Sequence, residues 1–207
     1  MMTRLYIVRH GQSEWNLYNK MQGTKNTNLS ELGIKQAHLL ADRLSNFDID
    51  YIYTSDLNRA YETAKIIAEH NNKEVKKLTE LREMSFGIWE GLTSNEINKL
   101  YKDLYELWKT SPEKVKIEKA ETLEVVQKRI VNSVKKIIKE NPNKNILIVS
   151  HGTSIKALIL GLLGIELHFY TKIRLDNTSL SIIDIKDDGK AVLTLLNDTC
   201  HLRSDKN

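Results

Sequence analysis

The sequence holds a single cysteine, Cys200, among its 207 residues. No intramolecular disulfide can form, and no thiolate cluster can hold a metal. Prolines number only two, and no Gly/Ser-rich linker, repeat or low-complexity tract divides the chain. No long hydrophobic run is present either. The most apolar later stretch, 155–165, is about half a membrane span and carries Lys156. The start, Met1-Met2-Thr3-Arg4, passes into a short apolar run at 5–8 without the pattern of a signal peptide. A membrane partner is therefore not expected, and a cytoplasmic location is. Charge of one sign is also scarce. The net charge is +4, the lysines are scattered, and no basic stripe with interleaved aromatics suggests a nucleic-acid partner.

Apolar residues make up 41% and charged residues 28%, the profile of a globular protein able to bury a substantial core. Strands and helices alternate along the chain. Strands are expected at 5–8, 51–53, 74–78 and 146–149, and helices at 32–44, 58–69, 94–108, 122–140 and 153–163, with Thr122 a plausible N-cap. Two closing strands, 179–185 and 191–196, flank the turn Asp187-Asp188-Gly189-Lys190. This order predicts an α/β fold, a three-layer αβα sandwich with a mainly parallel sheet and one antiparallel edge strand. A single domain over 1–207 is expected, with a helical cap insertion at about 92–120.

Two segments look alike. Residues 5–11 and 146–152 each run an apolar strand into His-Gly, at His10-Gly11 and His151-Gly152. Ligands of parallel sheets bind beyond the carboxyl ends of the strands, so both histidines should share one rim. Each glycine permits a sharp turn and a close approach. A helix starting nearby would offer free N–H groups to an anion. Arg9, beside His10, has the planar donor fork that suits phosphate. Arg59 falls in the first turn of a helix after the second strand, and Glu83 and Glu90 lie in an acidic, aromatic loop after the third. Taken singly, each of these reads more simply as a satisfied histidine, a surface arginine or a solvated carboxylate. Their joint arrangement points to chemistry on an anion.

At these residues the sequence resembles the histidine phosphatase superfamily, also called the phosphoglycerate mutase-like family. The resemblance rests on ordered pieces spread over most of the chain. They are Arg9-His10-Gly11-Gln12-Ser13-Glu14-Trp15-Asn16, Gln22-Gly23, Leu29-Ser30-Glu31-Leu32-Gly33 with Gln36-Ala37, and Thr54-Ser55-Asp56-Leu57 with Arg59-Ala60 and Thr63-Ala64. Glu83 with Phe86-Gly87-Ile88-Trp89-Glu90-Gly91, and Ser150-His151-Gly152, complete the set. The resemblance implies a phosphatase that works without metal or other cofactor on a small phosphorylated metabolite. His10 would be the nucleophile that becomes phosphorylated. Arg9, Arg59 and a protonated His151 would clamp the phosphoryl oxygens. Asn16 would hydrogen-bond the phosphate, Gln22, Gly23 and Gly152 would lie close to the ester, and Glu83 would donate the proton. Glu90 is expected to be structural. Where many family phosphatases have Gly-Glu-Ser, this chain has Ala120-Glu121-Thr122, so no substrate role is carried to Glu121.

Two other functions compete. A cofactor-dependent phosphoglycerate mutase would need a second cationic clamp, yet residues 91–150 contain one arginine, Arg129. A phospho-ligand-binding module would have lost part of the constellation that is complete here. Tyr101, Tyr105 and Trp108, in the expected cap, are read either as helix packing or as contacts to the alcohol part of the substrate. The natural substrate is left open, and so is a homo-oligomeric state.

Overall fold

The computed structural model describes residues 2–203. Six strands, β1 (Met2–Arg9), β2 (Tyr51–Thr54), β3 (Val75–Lys77), β4 (Asn145–Ser150), β5 (Leu180–Lys186) and β6 (Ala191–Asp198), form one sheet in the order β3-β2-β4-β1-β5-β6. Strands β1 to β4 pair in parallel. Strand β5 runs antiparallel beside β1, and β6 antiparallel beside β5. The closing hairpin thus makes that side of the sheet antiparallel, as expected.

The helices are α1 (Glu14–Leu17), α2 (Glu31–Leu44), α3 (Asn58–Asn71), α4 (Ser94–Leu100), α5 (Lys102–Thr110), α6 (Leu123–Glu140) and α7 (Gly152–Leu163). None of the described helices is long and apolar enough to cross a membrane. Strand alternation sorts the core into two layers. Leu5, Ile7, Ile146 and Ile148 face α6 and α7, packing with Ile130, Val134, Ile137, Ile155 and Leu158. Tyr6, Val8, Leu147 and Val149 face α2 and α3, packing with Leu40, Leu44, Ala60, Ala64 and Ile67. Both faces of the sheet are covered, which is why its central strands are apolar without interruption. Ser30 caps α2 by accepting from the Gly33 N–H, and Thr122 caps α6 by accepting from Val125.

A third apolar cluster lies beside this sandwich. Met84, Phe86, Trp89, Ile97, Val115 and Ile117 meet Leu123, Val126, Ala157, Leu160 and Tyr170 there. The helix expected over 94–108 is two helices. Tyr101, at φ −136° and ψ 45°, breaks it. Its N–H closes α4 on the Ile97 carbonyl, and its own carbonyl accepts the Tyr105 N–H to open α5.

Candidate active site

Strands β1 and β4 are neighbours at the centre of the sheet, with Arg9 opposite Ser150. Their carboxyl ends therefore coincide, and the residues that follow, His10 and His151, come side by side. The ring centroids are 5.1 Å apart at an interplanar angle of 60°. Both rings are buried. His10 Nδ1 lies 2.7 Å from the Gly11 carbonyl. A carbonyl only accepts, so Nδ1 carries the proton and Nε2 keeps its lone pair. Burial, then Arg59 and Arg9, hold the His10 pKa well below 6.5. The ring is neutral at physiological pH, as a nucleophile must be.

A polar cavity of about 240 Å³ opens over His10. Of the residues singled out in the sequence, Arg9, His10, Asn16, Gln22, Gly23, Arg59, Glu83 and Gly152 line it. His151 sits behind His10, fully buried, with no hydrogen-bond partner on either ring nitrogen. Burial, then Arg59, His10 and Arg9, push its pKa well below 6.5. The protonated His151 expected from the sequence is thus not favoured in the empty site, because the ring is fully buried and two guanidiniums lie close by.

The arginines are set by backbone carbonyls rather than by carboxylates. Arg9 Nη1 donates to Leu175 O at 2.6 Å. Arg59 donates from Nη1 to Lys25 O and from Nη2 to Gly23 O, both at 2.8 Å. Each Nε is buried without a partner. Burial lowers the pKa of both, that of Arg59 to about 10, which leaves Arg59 cationic at neutral pH. Arg59 is also linked through its helix to the turn after His10. Thr63 Oγ1 donates to Arg59 O and accepts from the Gly11 N–H.

The oxygens of the two amide side chains are held by Ser13 and Thr27. Ser13 Oγ lies 3.0 Å from Asn16 Oδ1 and 2.8 Å from Gln22 Oε1. Asn16 Oδ1 also accepts from the Ser13 N–H, and Gln22 Oε1 from Thr27 Oγ1. With their oxygens committed, both amides have only NH2 groups left to offer the cavity. Asn177, which no motif marked, donates from Nδ2 to His10 O at 3.0 Å. It comes from the loop before β5.

Glu83 occupies the helix N-terminus where an anion was expected. Its Oε1 accepts from the Met84 and Ser154 N–H groups at 2.9 and 3.1 Å. Its Oε2 accepts from the Thr153 N–H at 3.1 Å. The first amides of α7 therefore hold the protein's own carboxylate. The loop around Glu83 is pinned from three sides. Arg82 pairs bidentately with Asp56 at 2.7 and 2.5 Å, Ser154 Oγ donates to Arg82 O, and Arg129 donates to the carbonyls of Glu80, Arg82 and Glu83 while pairing with Glu121.

Glu90 joins two loops. Its Oε1 accepts from the N–H groups of Thr24 and Phe86, and a Cβ on Gly23, at φ +53°, would run into it. The close approach made by Gly11 is to α2, since a Cβ there would meet Gly33 O at 2.6 Å. Tyr101, Tyr105 and Trp108 are not among the residues lining the cavity. Trp108 packs against Phe86 and Tyr170, with ring centroids 5.5 and 5.6 Å away, and those two rings form the wall. Lys20, Met21, Thr153, Lys156 and Leu175 complete the lining without having been marked in the sequence. Among the described residues, no group of three or more His, Cys, Asp or Glu side chains is placed to hold a metal ion.

The family model described as the histidine phosphatase superfamily (branch 1) matches residues 5–199. The chain belongs to that superfamily. This histidine phosphatase is a hydrolase of the phosphatase class. It is 37% identical over 201 residues to phosphoserine phosphatase 1 of Hydrogenobacter thermophilus, an alignment covering 97% of this chain and 95% of that protein. It is 31% identical over 205 residues to the probable phosphoglycerate mutase GpmB of Yersinia pestis, covering 97% and 95%. A mutant phosphoserine phosphatase from Entamoeba histolytica, solved in complex with phosphoserine, matches with a TM-score of 0.88 at 36% identity, over 97% of this chain and 100% of that one. YhfR of Bacillus stearothermophilus matches with a TM-score of 0.92 at 30% identity, covering 97% and 99%.

Proposed function

We propose that this histidine phosphatase hydrolyses small phosphate monoesters in two displacements at His10. The observation that carries the reading is the His10 tautomer: Nδ1 is tied to Gly11 O, so Nε2 is left as the nucleophile between Arg9 and Arg59. In the first step Nε2 attacks phosphorus, the ester bond breaks, and the leaving alkoxide takes a proton from Glu83. In the second, water attacks the phosphohistidine and gives its proton to the Glu83 carboxylate, releasing phosphate and neutral His10. The three N–H donors around Glu83 suit the carboxylate of that second step.

Charge on the transferring phosphoryl oxygens is met by Arg9 and Arg59 and by the NH2 groups of Asn16 and Gln22. A phosphoryl group alongside His151 offsets the two guanidiniums, which favours its imidazolium and adds a further donor. The guanidiniums supply the positive charge, so this scheme uses no metal or cofactor. Residues 92–120 serve as a cap that backs the Phe86 and Tyr170 wall from behind.

Hydrolysis is favoured over a mutase reaction by Arg129. It is the one arginine of residues 91–150, and Glu121 and three backbone carbonyls occupy it away from the cavity. The test is turnover of p-nitrophenyl phosphate in EDTA, with labelled ester used to trap the intermediate. The wild type should turn over and give acid-labile, base-stable label on His10, and His10→Ala should fold but lose both. Substantial turnover in His10→Ala overturns the mechanism. With 3-phosphoglycerate and catalytic 2,3-bisphosphoglycerate, free phosphate should outpace 2-phosphoglycerate.

A further inference from the structure

The loop before β5 meets three parts of the site at once. Leu175 O accepts from Arg9 Nη1 at 2.6 Å. The Thr178 N–H is shared between Arg9 O at 3.0 Å and His10 O at 3.3 Å. Asn177 Nδ2 lies 3.0 Å from His10 O and 3.4 Å from Asn16 Oδ1. An amide NH2 carries two hydrogens, so one can go to each oxygen. The backbone of the nucleophile and the amide proposed to bind the phosphoryl group are thereby joined through one nitrogen. Asn177 does not line the cavity, so it acts on these residues rather than on the ester.

The loop is anchored on its far side. The Asp176 N–H donates to Asn197 Oδ1 at 2.7 Å, and Asn197 Nδ2 donates back to Asp176 Oδ2 at 3.0 Å. Thr178 is fully buried and sits at φ +53°. That left-handed conformation is costly for a β-branched residue and persists only where the surroundings fix it. The turn it makes puts the Asn177 side chain and the Thr178 N–H on the same carbonyl, that of His10.

We propose that Asn177 is a positioning residue for phosphoryl transfer: its NH2 group holds Asn16 in register with His10, so that the Asn16 NH2 meets the phosphoryl group that His10 attacks. The inference rests on the two-displacement reading and adds to it a residue outside the cavity. Without the Asn177 amide, Asn16 Oδ1 keeps the Ser13 N–H but loses its tie to the nucleophile. Asn177→Asp keeps the shape and, as a carboxylate, offers only acceptors to two oxygens. Asn16 could then meet it only by turning its own NH2 away from the cavity.

The experiment is a double-mutant cycle over Asn177→Ala, Asn16→Ala and the pair, read as kcat/KM for p-nitrophenyl phosphate and as inhibition by inorganic phosphate. Asn177→Ala should lower kcat/KM roughly 3- to 10-fold, the worth of one hydrogen bond, and should weaken inhibition by phosphate. In the Asn16→Ala background the same change should cost roughly 2-fold or less, because the group it positions is gone. A merely structural role would give the same fold loss in both backgrounds. Asn177→Asp, measured alone beside its thermal melt, should lose at least as much as Asn177→Ala while remaining folded. Equal losses in the two backgrounds, or wild-type kcat/KM in Asn177→Asp, overturn the inference and leave the phosphatase reading standing while the wild type still labels His10. A wild type with neither turnover nor label overturns both.

Discussion

Replacing Glu83 by glutamine keeps the size of the side chain and removes the proton it would pass. In this site it also changes the hydrogen bonding. Three N–H donors converge on the two oxygens, two on Oε1 and one on Oε2. A glutamine has one oxygen. If that oxygen takes the Oε1 position, the NH2 group faces the Thr153 N–H, donor against donor. If the amide turns over, it faces the N–H groups of Met84 and Ser154 instead. The better orientation still loses one hydrogen bond to a charged acceptor, about 1.5–3 kcal/mol. It also removes the negative charge that offsets Arg9 and Arg59. For a chain of this length each kcal/mol lowers Tm by roughly 2–4 °C, so Glu83→Gln should melt about 3–12 °C below the wild type. Activity should fall on a different scale. Loss of a general acid costs about 10²–10⁴ in rate, fully on an alkyl phosphate and less on p-nitrophenyl phosphate, whose leaving group is a stable anion. The assay pairs thermal melts with kcat on both esters. An unchanged Tm would refute the hydrogen-bond accounting, and an unchanged rate on the alkyl ester would refute the acid role.

Three further outcomes are expected. Because burial and the guanidiniums depress the pKa values of His10 and His151, the unfolded chain binds more protons than the folded one below about pH 6.5, so their contribution is intact above that pH and is lost as the pH falls toward the depressed values; a denaturation midpoint that rises between pH 7 and pH 5 would contradict this. His10→Asn should flatten part of that slope, since it deletes one of the two groups. Trp108→Ala removes a partly buried ring behind Phe86 and Tyr170, should cost less than the roughly 3–5 kcal/mol of a fully buried one, and should lower the rates on all esters together; a change in substrate ranking with an unchanged Tm would place Trp108 in contact with the substrate.

The twin strand–His–Gly pattern made the centre of the fold legible, because two apolar strands ending alike belong side by side in a parallel sheet. The register of β1 and β4 brings His10 and His151 together as that pattern requires. Glu83 and Arg59 were legible only through the resemblance, since neither stands out among other charged residues. Asn177 left no local trace. It reaches His10 O because β5 pairs with β1, a contact between distant parts of the chain that spacing does not encode. The same limit hid Lys156, which reads as one polar position in an apolar helix until Tyr170 and the cavity are placed around it. The break at Tyr101 was hidden because the apolar spacing continues across it. The shift at His151 follows from how deeply the ring is buried and then from how closely two arginines approach, and the motifs fix only that these residues are present.

Helix α7 begins with His151 as its N-cap, lines the cavity through Gly152, Thr153 and Lys156, and holds Glu83 by its first amides. Glu83 is carried by one loop but kept in place by another element. Any displacement of α7 therefore takes Glu83, His151 and Lys156 with it as one body, and the distances among them persist while the wall formed by Phe86 changes.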